Sequence, residues 1–118
     1  DSITNVSGAY GGDLDPTKGM YWAWNSGYIN FKLEGKDTRC PTRNNQFQFH
    51  LGGYLPPFSA AQEIRLNVKK SKKIDILVEL STFFTDVDLS KLHTVMSPSA
   101  KAKKLSVIAA SMFSIDDK

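Results

Sequence analysis

The chain has one cysteine, two histidines and no apolar run near the ~18 residues that a membrane-spanning helix needs. Cys40 can close no internal disulfide, and no second cysteine stands beside it in a CxxC metal or redox pair. His50 and His93 fall in no HxH, HExxH or Cys/His spacing, so a metal motif local in sequence is missing as well. There is no GxSxG, no glycine-rich phosphate loop and no carboxylate pair set across a predicted cleft. Nothing here points to catalysis, and a non-enzymatic role is the expectation. Charge of one sign is also scarce, with 15 basic against 12 acidic residues and a net +3. Much of that excess sits in "KKSKK" at 69–73 and "KAKK" at 101–104, which contain no arginine and no aromatic. Nucleic-acid surfaces are broader and interleave bases with aromatic rings, so the clusters read as a solvated turn and a solvated helix face, with no nucleic-acid partner.

What is present fits one domain spanning 1–118, since 118 residues suffice for a single core and an apolar content of 41% is ordinary for a globular chain. Residues 1–20 hold glycine, aspartate and proline in a pattern of turns and irregular backbone. From Tyr28 the sequence alternates, with Ile29, Phe31 and Leu33 on one side and Asn30, Lys32 and Glu34 on the other, which predicts a half-buried strand. "NQFQFHLGG" at 45–53 repeats the alternation and puts His50 on the polar side. "QEIRLNVK" at 62–69 and "KIDILVEL" at 73–80 predict a third and a fourth strand, and the short polar turns argue for antiparallel pairing. Ser97 and Pro98 then open a helix whose apolar stripe is Leu105, Ile108, Ala109, Met112 and Phe113. The expected fold is all-β: an antiparallel, β-sandwich-like domain with a short C-terminal amphipathic helix. Four strands fill one sheet comfortably, so a second sheet requires strands that this chain does not reveal.

Three groups could carry chemistry. Tyr21, Trp22, Trp24 and Tyr28 crowd the entry to the first strand, and on extended backbone Trp22 and Trp24 leave from one face. Such rings either cap a core or form a stacking surface for a sugar or another ligand. His50, His93, Met20, Met96 and Met112 are the local soft or borderline donors that copper would use. Asp13 and Asp15 in "GGDLDP" suit a side-chain-capped turn better than a calcium site, which wants more oxygen ligands at regular spacing.

The ordered series "GGDLDPTKGMYWAWNSGYINFKLEG", "FQFHLGGY" and "VMSP" ahead of a short amphipathic helix resembles the MbnP-like family of periplasmic copper-binding proteins. The resemblance extends over nearly the whole chain, and its most specific parts are LDP-x-x-GMYW-x-W-x-SGYI and FHLGG. It implies a β-rich, exported protein, periplasmic or secreted, with lipid attachment through a preceding segment as a further option. It also implies copper as the bound metal and a MauG-like diheme peroxidase as a partner that oxidises a tryptophan to kynurenine. Transferred to the matching positions, Trp22 or Trp24 is the modified residue and His50 the imidazole ligand. The chemistry is coherent, because opening the indole ring leaves an aniline nitrogen able to donate to a metal, whereas an intact indole N–H offers no in-plane lone pair. Members of the family carry further upstream strands that this chain lacks, which implies that another chain could supply them.

Overall fold

The computed structural model describes residues 2–9, 11–23 and 27–116. After a short helix α1 (Ser2–Ser7), β1 (Tyr21–Ala23) and the long β2 (Gly27–Lys36) form an antiparallel pair, and β2 turns back into β3 (Gln46–Gly52). The alternation over 31–34 and 46–51 builds this hairpin as read from sequence. Asp37 holds its turn: its carboxylate accepts from the Arg39 backbone N–H and from the guanidinium, and its own N–H donates to Asn45 O. The hydrogen bonds from the Arg39 side chain and backbone, with its charge adding a little, draw the Asp37 carboxyl down to about 2.

The second half departs from expectation. Residues 62–69 form no strand, and the fourth strand shrinks to β4 (Ile76–Val78), which runs directly into helix α2 (Leu80–Thr85). Phe83 explains the switch. A helical turn carries it to the middle of an aromatic cluster, with ring centroids 5.5 Å from Phe49, 6.4 Å from Phe31 and 5.3 Å from Phe84. β5 (Thr94–Val95) then joins β3 in parallel, not antiparallel, with Gln48 opposite Thr94. Helix α3 (Ala100–Ala110) lies over β3, and β6 (Phe113–Ile115) returns to pair with β4. The cap of α3 is Ser99, whose Oγ accepts from Ala102 N–H, rather than Ser97. The stripe forms as expected: Leu105, Ala109 and Met112 are buried, and Ile108 and Phe113 pack at the margin.

The described residues form a β-rich domain with a four-stranded sheet in the order β1-β2-β3-β5, a two-stranded ribbon β4-β6 and three α-helices. It is less purely β than expected, and among the described residues no second full sheet completes a sandwich. One core lies between the sheet and the helices, built by Phe47, Phe49, Leu51, Phe83, Leu89, Val95, Leu105 and Met112. Cys40 belongs to this core. It is fully buried, and burial pushes its thiol up. Both lysine clusters are exposed, and Lys103 reaches Pro57 O at 3.3 Å.

Candidate functional site

The register of the hairpin decides which side chains meet. From Lys36 opposite Gln46 to Phe31 opposite Leu51 the pairing is regular, and then Ile29 stands opposite Gly52, so Asn30 forms a bulge. Residues directly opposite share a face. Phe31, Leu33, Phe49 and Leu51 therefore point into the core, whereas Lys32, His50, Glu34 and Gln48 point to the other side. The bulge reverses Ile29, which joins Gly52 on the His50 side. Burial agrees with that assignment: Ile29 is only 6% exposed, yet it stands outside the core cluster. Strict alternation had placed Ile29 with Phe31 and Leu33, and the inserted residue is what overturns it.

His50 is 7% exposed on this second face. Its Nε2 lies 2.5 Å from Glu34 Oε1, a diagonal cross-strand contact, and Lys32 Nζ approaches the same oxygen at 3.6 Å. The His50 hydrogen bond, with Lys32 adding to it, holds the Glu34 carboxyl below its ordinary value against the opposing effect of partial burial. An ionised carboxylate only accepts, so Nε2 is the donor in this pair. Glu34 was not singled out in the sequence. The signal was there, because both residues fall on the polar side of adjacent predicted strands, and a hairpin turn over 37–45 brings them together.

Trp22 covers the next part of the face. Its Cζ3 lies 3.1 Å from the position that a Cβ would take at Gly52, which would also clash with Tyr28 O and come within 2.8 Å of Ile29 Cα. Glycine at 52 is thus required by the close approach of β2 and the indole. Gly53, at φ +109°, serves the backbone instead. The two motifs "GMYW" and "FHLGG" are one physical unit, with the Trp22 ring seated two residues beyond His50 along β3, about 7 Å in strand rise. Trp24, the other candidate, lies outside the described residues.

The remaining aromatics of the entry segment have structural work. Tyr21 and Tyr28 pack edge to face at 4.8 Å. The Tyr28 hydroxyl donates to Leu14 O at 2.6 Å and accepts from Ala9 N–H at 2.9 Å, tying the glycine-rich loop to β2. Asp15 caps that loop. Its Oδ1 accepts from Thr17 N–H and Oγ1 and its Oδ2 from Gly11 N–H, and these bonds lower its carboxyl. Both Asp15 oxygens are thus engaged in the turn. His93 sits beside β5, across β2 and β3 from β1, with its Nδ1 3.3 Å from Thr94 Oγ1, and Met96 is exposed. Thr94 stands opposite Gln48, on the His50 side of the sheet, and Met96 follows it two positions later.

Among the described residues no group of three or more His, Cys, Asp and Glu side chains could hold a metal ion. The second face supplies one imidazole, a donor well suited to copper, with a carboxylate bonded to it in the way that commonly orients a metal-bound histidine. These residues fit part of a copper site, since copper takes about three or four donors and an intact Trp22 is not one of them. No helix among the described residues is long and apolar enough to cross a membrane.

Fold and site thus define a β-rich domain that carries a buried imidazole, bonded to a half-exposed carboxylate, and an indole on the sheet face away from its core. The chain belongs to the MbnP family, whose sequence profile matches residues 1–97. The match ends before α3 and β6, and so is shorter than the nearly full-length resemblance read from the motifs. No curated protein and no solved structure matches the chain.

Proposed function

We propose that this chain is a non-enzymatic copper-binding protein, periplasmic or secreted, whose site joins His50 to a ligand made by oxidising a tryptophan, with Trp22 as the modified position. The observation that carries this reading is the seating of the Trp22 ring on Gly52, next to the buried His50, in a member of the MbnP family. Addition of two oxygen atoms across the double bond of the pyrrole ring opens it. Hydrolysis of the N-formyl product then releases formate and leaves an aniline nitrogen. Peroxide supplies the oxygens when the partner is a MauG-like diheme peroxidase. His50 would hold copper through the ring nitrogen that Glu34 does not engage, and Glu34 would fix the ring's tautomer. Strands from another chain would supply the second sheet of a sandwich.

A carbohydrate-stacking or assembly module built on residues 21–28 is the second reading. The arrangement favours it less, because Tyr21 and Tyr28 are occupied with each other and Tyr28 also with the loop.

Peptide mapping tests the modification. The tryptic segment Gly19–Lys32 contains both tryptophans. After co-production with an active diheme peroxidase it should exchange one carbon for one oxygen at Trp22. An unchanged segment would refute the oxidised-tryptophan ligand, and a change confined to Trp24 would move the site off Trp22.

A further inference from the structure

Residues 61–73 contrast with the hairpin they follow. They make no backbone–backbone hydrogen bond among the described residues, although their sequence alternates as a strand should. Glu63 and Arg65 form an ion pair at 2.7 Å, as side chains two apart do on extended backbone. Gln62 and Ile64 line a groove with Phe31, Ala109 and Phe113, so one side of the segment leans on the body. Ile64 and Val68 nevertheless remain 39% and 49% exposed. A segment without backbone partners, with apolar residues at alternate positions, is a ready template for another strand.

The order of charges says which strand. We propose that residues 63–69 pair antiparallel with the same residues of a second copy of this chain, centred on Leu66. In that register Leu66 faces Leu66, Ile64 faces Val68, Arg65 faces Asn67, and Glu63 faces Lys69 on both sides of the two-fold axis. Apolar side chains then meet apolar ones, and each acidic group meets a basic one. Neighbouring registers fail. Centring on Arg65 sets two arginines opposite each other, and centring on Asn67 sets Arg65 against Lys69. A parallel in-register pair would align every lysine with its copy. The pairing goes beyond the copper reading and does not depend on it, and it identifies the chain that adds a strand as an identical copy.

Sedimentation of the full chain over a range of concentrations tests it, with metal absent so that failure of the copper site has no influence. A monomer–dimer equilibrium is expected. Glu63→Lys places like charges opposite each other twice and should weaken the dimer roughly tenfold. Adding Lys69→Glu to that variant should restore the equilibrium. Arg65, Glu63 and Lys69 are exposed, so circular dichroism of the variants should match the parent. A chain monomeric at all concentrations, a dimer indifferent to the charge reversal, or a double variant that fails to recover would each overturn the proposal.

Discussion

The two faces of the β2-β3 hairpin share one backbone and behave oppositely. On one face, phenylalanines and leucines meet the helices in a continuous core, where each fully buried side chain contributes about 1.5–3 kcal/mol. On the other, a histidine is nearly as deeply buried with no such cluster around it, held by a carboxylate at its ring nitrogen and flanked by an indole lying on a glycine. Burial on the first face follows from hydrophobicity. On the second it is imposed by geometry: the Asn30 bulge turns Ile29 over, and Gly52 lets the strand and the ring close up.

Substitutions should separate the faces by size and by kind of effect. The largest loss is expected for Phe49→Ala, which empties the centre of the aromatic cluster and should cost about 3–5 kcal/mol in denaturant unfolding. It should leave the environment of Trp22 nearly unchanged. Gly52→Ala is expected to cost less, about 1–3 kcal/mol, because the new methyl meets the Tyr28 carbonyl and the Trp22 ring. Unlike Phe49→Ala, it should shift Trp fluorescence in the folded protein. A Gly52→Ala protein with unaltered stability and emission would dissolve the distinction between the faces.

The smallest effect is the one most specific to the second face. Glu34 titrates below its ordinary value in the folded chain, so the stability it confers is complete above the ordinary carboxylate value and disappears as pH falls through the lowered one. Glu34→Gln should therefore flatten the acid limb of a stability-against-pH curve while leaving Phe49 packing intact. Asp37 acts with the same sign: its contribution is whole above 3.8 and lost as pH falls through about 2. The acid slope that survives in Glu34→Gln should come from Asp37 together with Asp15 and Asp88, whose carboxyls are also held below their ordinary value by hydrogen bonds.

The hairpin and the helix stripe were legible because period 2 and period 3.6 are properties of neighbouring residues. The "FHLGG" and "GMYW" motifs pointed to His50 and Trp22, but neither spelled out that the Trp22 ring sits on Gly52. The reversal of Ile29 depends on the bulge, and a single inserted residue leaves no clear trace in an alternating pattern. Residues 62–69 alternate as faithfully as residues 28–34 and form no strand, since a strand also needs a partner edge, which local sequence cannot supply. Phe83-Phe84 went the other way. The pair gave little local sign of a helix, and the aromatic cluster it completes settled its conformation. The parallel placement of β5 likewise came from tertiary packing.

Whether the second face is a copper site rests on His50. Calorimetric titration of copper into the peroxidase-processed chain and into its His50→Ala variant, with circular dichroism confirming the fold of both, decides the matter. We expect one copper per parent chain and a loss of affinity greater than roughly a hundredfold in the variant. Equal affinity in a folded His50→Ala protein would show that the buried imidazole is a structural strut and that copper, if bound, is held elsewhere.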